Sequence, residues 1–156
     1  MSSLASERVI RSAEPSDSAA LGEAHAEAWL TAYADLISPE VLAEAAAGRR
    51  MSRPSPEREG WTEVRGFHFH PAAWGTGASA ALMEAVLGTV APGSPGVHLW
   101  THLDTPRAHR FYEKVGFTRT GQARDLAFSD NLILPEVEYA RSAEATAAKA
   151  GQHGTG

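Results

Sequence analysis

Residues 67–87 read FHFHPAAWGTGASAALMEAVL, a stretch that passes from strand to turn to helix. Its first residues close a strand expected over 61–69 (WTEVRGFHF), and HPAAWGTG is a glycine-bearing turn. From about Ala78 to Val90 the sequence places Leu82, Met83 and Leu87 on one side of a helix. Gly75 and Gly77 let main-chain amides come close to a ligand without side-chain clash. The start of the helix adds N–H groups with no intrahelical partner and the positive end of its dipole, which together suit a phosphate anion. A tight strand-to-helix turn that binds nothing fits the same residues.

Two nucleotide motifs compete for this turn. A phosphate-binding P-loop ends in Gly-Lys-Ser/Thr, and Gly77-Ala78-Ser79 has no lysine, so that reading fails. The dinucleotide fingerprint fits the spacing Gly75-x-Gly77-x-x-Ala80, with Asp104 after a later strand. It belongs directly after the first strand of its domain, however. Here two helices and a strand come first and PAAW intervenes.

Working outward, APGSPG breaks the helix and GVHLWTHL (96–103) reads as the next strand. TPRAHRFYEKV (105–115) is a helix with clear ends: Thr105 as cap, Pro106 in the first turn, Gly116 at the left-handed exit. Ala108, Phe111, Tyr112 and Val115 share one of its faces. Strands are expected at 117–123 and 135–141, then a disordered tail over 142–156. Upstream, RVIRS (8–12) reads as a first strand, and Asp17 or Ser16 caps a helix running to about Ile37. Ser38-Pro39 restarts a helix to Ala47, and 48–60 (GRRMSRPSPEREG) is a polar loop. The order β-α-α-β-α-β-α-β-β describes a mixed sheet covered by helices.

The 156 residues suffice for one domain. Fourteen Lys and Arg against 19 Asp and Glu give a net charge of −5, which argues against nucleic-acid binding. With no cysteine, disulfides, thiolate catalysis and Cys-based zinc sites are excluded. The charged N-terminus is unlike a secretory segment, and no run approaches the ~20 apolar residues of a membrane span. A cytoplasmic protein is expected.

Two segments together, FHFHPAAWGTGASAALMEAVL and AHRFYEKVGF (108–117), resemble the acetyl-CoA motif and the following helix motif of the GCN5-related N-acetyltransferase (GNAT) family. The style of RVIRSAEPSDSAAL, AEAWLTAYADLISPEVL and LPEVEYAR is similar as well. The resemblance implies an α/β (α+β) acyl-CoA N-acyltransferase-like fold over residues 1–141. Its sheet is mixed and largely antiparallel, contains a parallel strand-helix-strand unit and is flanked by helices. Acetyl-CoA would be the cosubstrate, contacted through Phe67, Phe69, Trp74, Gly75, Thr76, Gly77, Ala78, Ser79, Ala80 and Thr105.

There are departures. Trp74 stands where the family has Gln or Arg, Ser79 where it has Gly or Ala, and Thr105 where it has Asn. About two strands of the sheet's first half are missing between Arg50 and Trp61. Either the strands at 8–12 and 61–69 meet each other, or a second copy fills the gap as a homodimer, or the domain is a remnant.

Forming an amide from a thioester requires a neutral amine, a stabilised oxyanion and a protonated leaving thiolate. An alkyl amine, with a pKa of roughly 10, must lose a proton before it attacks. The resemblance places Glu63 as the base, acting directly or through water; a solvated strand-face carboxylate is the plainer alternative. It likewise places a backbone N–H near Phe67–Phe69 on the carbonyl oxygen and gives Tyr112 the role of protonating the sulfur. Tyr112 as a core residue beside Phe111 is the alternative. His68 with His70, and His98 with His102, alternate on strands, but nothing in the sequence brings the pairs together and no metal site is expected. His102 is a reserve base. Trp29 and Tyr33 suit either an acceptor pocket or the core.

The function expected is transfer of acetyl from acetyl-CoA to a primary amine of a small molecule or peptide, by direct attack. The alternatives are a shortened domain that binds CoA or a protein without turnover, and a dinucleotide-binding protein.

Overall fold

A computed structural model describes residues 9–33, 52–129 and 132–144. These fall into two compact units, one drawn from Met1–Ala46 and His68–Gly88, the other from Ala47–Phe67 and Thr89–Gly156.

The first unit holds helix α1 (Ser18–Tyr33) and helix α2 (Ala78–Gly88), with short 3-10 turns at Pro15–Asp17 and Pro71–Ala73. The first strand expected at 8–12 does not form over the described residues 9–12, and Val9 and Ile10 are 77% and 45% exposed. Two apolar residues are too few to anchor a strand, and the next residue is engaged elsewhere. Arg11 grips the Asp17 carboxylate through both terminal nitrogens, at 2.7 and 2.8 Å. Asp17 also accepts from the Glu14 amide at 2.8 Å, so it closes the turn before α1 instead of capping the helix directly. These bonds hold the Asp17 carboxyl down at about 2. The helix expected over 38–47 and most of the tail lie outside the described residues, as do the side chains of Trp29 and Tyr33.

The second unit is built on a five-stranded sheet: β1 (Ser52–Pro54), β2 (Thr62–Val64), β3 (Gly96–His102), β4 (Thr118–Ser129) and β5 (Leu132–Ser142), in the order β1-β2-β3-β5-β4. Among the described residues, β2 and β3 run parallel and the other neighbouring strands are antiparallel. The mixed, largely antiparallel sheet with one parallel strand-helix-strand connection is therefore present. The polar loop at 48–60 is corrected: it contains β1, which pairs with β2 through Ser52↔Val64, Arg53↔Glu63 and Pro54↔Thr62. The strand expected over 61–69 is also shorter. It leaves the ladder after Val64, while β3 runs on for three residues beyond Leu99, the partner of Val64.

Side chains alternate across a strand, and the register sorts them into two faces. Val64, Val97, Leu99, Val137 and Tyr139 point one way and are buried. Helix α3 (Pro106–Lys114) covers that side, with Tyr112 and His109 placing their rings 5.9 and 5.6 Å from Tyr139. Removing one such core side chain typically costs about 2–5 kcal/mol. Gly96 opens the central strand β3, opposite Ser142 of β5. A Cβ there would stand 2.5 Å from the Arg141 carbonyl and 2.7 Å from the Trp61 ring, so only glycine fits. Gly116, at φ 92°, ends α3 as expected. Thr105 occupies the N-cap position, yet its hydroxyl donates to the His102 carbonyl at 2.7 Å and makes no cap bond.

Candidate functional site

In the first unit, the turn from His70 to Ala78 is organised by its own short side chains. His70 Nδ1 accepts from the Ala72 amide at 3.2 Å, and the Ala73 and Trp74 amides donate to the His70 and Pro71 carbonyls. The Trp74 indole donates to the Phe69 carbonyl at 3.2 Å. The Thr76 hydroxyl donates to the Ala73 carbonyl at 2.7 Å and accepts from the Ala78 amide at 3.3 Å. Gly75 and Gly77 have φ of 73° and 81°, a region that side chains make costly, which explains the glycines at these two positions. The space beside Gly75 is open: a Cβ there would meet nothing within 4 Å. Among the described residues, the amides of Gly75, Gly77, Ser79 and Ala80 have no carbonyl partner. Four N–H groups thus gather around the first turn of α2, at the positive end of its dipole.

In the second unit, Glu63 is 3% exposed and lies opposite His98 in the β2–β3 register. It lines a cleft of about 70 Å³ with Val64, Arg65, Trp100, Arg124, Leu126 and Glu136. Phe67 stacks on Phe111 with ring centroids 5.5 Å apart. Tyr112 is buried among Phe111, Phe117 and Tyr139. Burial, and then the hydrogen bond to Glu113 at 3.2 Å, push the Tyr139 phenol above its ordinary pKa. Glu63, Phe67, Tyr112 and Thr105 therefore belong to the sheet unit, and Phe69 with Trp74–Ala80 to the other. Of the four histidines, His68 packs on His25, with ring centroids 4.4 Å apart, and His98 is fully buried in the sheet. Among the described residues, no group of three or more His, Asp or Glu is arranged to hold a metal ion.

Sequence reasoning missed the polar face of the sheet. Glu138, buried on β5, accepts from Arg58 at 2.9 Å and from the Thr120 hydroxyl at 2.6 Å through the same oxygen. Its other oxygen lies 2.9 Å from His98 Nδ1, but off the line of a hydrogen bond, so the ring nitrogen has a close ionic neighbour without a true acceptor. His98 Nε2 meets the Ser55 hydroxyl at 2.7 Å. Alongside, Glu57 accepts from Arg124 at 2.7 Å and from the Trp100 indole at 2.9 Å. Arg124 lies over the Trp100 ring and also bonds Glu136 at 2.7 Å. The alternation of Glu136 and Glu138 in PEVEYAR was the available signal: two carboxylates on one face of a strand require partners.

The sequence model of the acetyltransferase (GNAT) family matches residues 5–117. The chain belongs to the GNAT family.

Solved GNAT structures share its architecture. A GCN5-related N-acetyltransferase from Rhodopseudomonas palustris superposes with a TM-score of 0.64 at 17% identity, over 85% of this chain and 93% of its own. The ribosomal-protein-S18-alanine N-acetyltransferase from Escherichia coli gives 0.56 at 16% identity, over 85% and 91%. At these identities the likeness is one of fold. No curated protein sequence matches the chain. Membership makes this GNAT protein an acyltransferase and removes the dinucleotide-binding alternative. Among the described residues, no helix is long and apolar enough to cross a membrane.

Proposed function

We propose that this GNAT protein transfers acetyl from acetyl-CoA to a primary amine by direct attack within a ternary complex. One observation carries the reading: a family match across residues 5–117 that includes a glycine turn whose Gly75, Gly77, Ser79 and Ala80 amides have no carbonyl partner among the described residues. Those four donors suit the linked phosphates of CoA. Trp74, Thr76 and Ala78 shape the same turn, and Thr105 stands at the head of α3. A backbone N–H near Phe67–Phe69, where the chain has left the β2–β3 ladder, suits the thioester carbonyl.

In this reading Glu63 takes the proton from the amine, directly or through water, and Tyr112 returns one to the departing sulfur. The amine nitrogen bonds to the acyl carbon as the carbon–sulfur bond breaks, leaving amide and free thiol. The acceptor is a small molecule or peptide amine, and the setting is cytoplasmic.

Calorimetric titration with acetyl-CoA, followed by thiol release over a panel of amines, tests the assignment. Binding without thiol release from any amine would replace it with a CoA-binding protein that does not turn over. Tyr112→Phe should lower turnover by roughly an order of magnitude or more and leave acetyl-CoA affinity near normal. Unchanged turnover removes Tyr112 from the mechanism.

A further inference from the structure

Helix α3 turns two neighbouring aromatic residues to different tasks. Tyr112 is buried in the core, its ring 6.1 and 5.9 Å from those of Phe117 and Tyr139. Phe111, the residue before it, is half-buried and stacks on the half-buried Phe67. The ring centroids are 5.5 Å apart and the planes 17° from parallel, within the range of favourable aromatic pairs. Successive residues on a helix point in different directions, so one rigid element serves both contacts.

Phe67 lies three residues past Val64, where the β2–β3 ladder ends. The ladder therefore does not fix the segment around it, and the aromatic pair ties that segment to α3. The helix is itself well held. The buried Arg141 guanidinium donates to the Val115 carbonyl at the end of α3, at 2.9 Å. The Phe117 amide donates to the Tyr112 carbonyl at 2.9 Å, and the His109 ring stands edge-on to Tyr139. All these residues belong to the sheet unit.

An amide stabilises a developing oxyanion only if it already stands where the charge will appear. A misplacement of about 1 Å costs roughly a hundredfold in rate. From this arrangement we infer that Phe111 is a positioning residue of the transfer reaction. Its ring, stacked on Phe67, sets the main-chain segment that meets the thioester carbonyl at a fixed separation from Tyr112. Phe111 itself touches no reacting atom. The inference rests on the acetyltransferase reading for its chemistry, whereas the clamp on residues 66–69 is a physical claim of its own.

The experiment has two arms and three variants. Phe111→Ala removes the ring, Phe111→Leu keeps apolar volume without the flat stack, and Phe111→Tyr keeps the stack. In the first arm, NMR order parameters are measured for the amides of residues 66–69 in the ligand-free protein. They should be near the rigid value of about 0.85 in the wild type and in Phe111→Tyr, and fall toward about 0.6 in the other two. Those of β3 should not move. In the second arm, thiol release is followed with acetyl-CoA and the amine of the panel that reacts fastest. Phe111→Ala and Phe111→Leu should lower kcat by roughly tenfold to a hundredfold with KM for acetyl-CoA little changed, and Phe111→Tyr should restore it. Phe67→Leu with Phe111→Leu should lose no more than either alone, because each removes the same stack. Loosened amides in a protein that releases no thiol sustain the clamp and defeat only the transferase reading. Order parameters unchanged in Phe111→Leu, wild-type kcat in that variant, or additive losses in the double variant overturn the inference.

Discussion

In the glycine turn, side-chain hydrogen bonds join residues two to five positions apart: His70 with Ala72, Thr76 with Ala73 and Ala78, Trp74 with Phe69. On the polar face of the sheet they join residues 43, 67 and 80 positions apart: Ser55 with His98, Glu57 with Arg124, Arg58 with Glu138. The turn is specified by a short string of residue types and by the conformations glycine alone adopts readily. The polar face exists only after the register of β2, β3, β5 and β4 has been set. A motif is a local object, whereas the polar face of the sheet is a long-range one.

That contrast can be broken by substitution at either end. Gly77→Leu should have the largest effect. A leucine at φ 81° costs about 1–2 kcal/mol in the backbone and places a side chain beside the four amides, so calorimetry should find no acetyl-CoA binding while the thermal midpoint falls by only several degrees and the protein stays folded. Retained binding would show that the turn is not where CoA is held. Glu138→Ala should do the reverse. It removes the acceptor of the half-buried Arg58 guanidinium and Thr120 hydroxyl, costing about 1–3 kcal/mol in urea-unfolding free energy. A loss below about 0.5 kcal/mol would mean the polar face is not structurally coupled.

The smallest effect is in the N-terminal turn, another local feature. Because Arg11 and the Glu14 amide bond the ionised Asp17, its carboxyl titrates near 2 in place of 3.8. The depressed value means that the turn is supported at all pH above the ordinary carboxylate range and loses that support as pH falls toward 2. Carboxyl-carbon NMR titration checks this, and Arg11→Ala should return Asp17 toward its ordinary value.

The same contrast explains what was legible in the sequence. Helices α2 and α3 were readable because apolar spacing, Pro106 and Gly116 act within a turn or two. So was the pairing of the two motif segments that identifies the family. Strand ends were not. β4 and β5 run longer than expected because each is completed by the other's register, and β1 hid inside a segment with two prolines, where pairing to Thr62–Val64 overrides local preference. Val9 and Ile10 gave a strand signal that no partner supports among the described residues. Of the proposed site residues, Glu63 and Tyr112 were found through the family pattern. On the polar face, Glu57, Trp100 and Arg124 belong to no motif, and only the folded register brings them together.

β4 is the longer of the two edge strands among the described residues, and its pairing with β5 carries two dislocations, between Arg119 and Ala123 and between Ala127 and Ser129. Gly121, at φ 87°, sits within the first. A straight rail of that length would offer a landing strip to any stray extended chain during synthesis or heating. The offsets kink it and throw its open amides and carbonyls out of step, so an incoming strand can match only a few positions before it loses registry. The longer border, with more to offer a growing fibre, is thus the one the fold has made uneven.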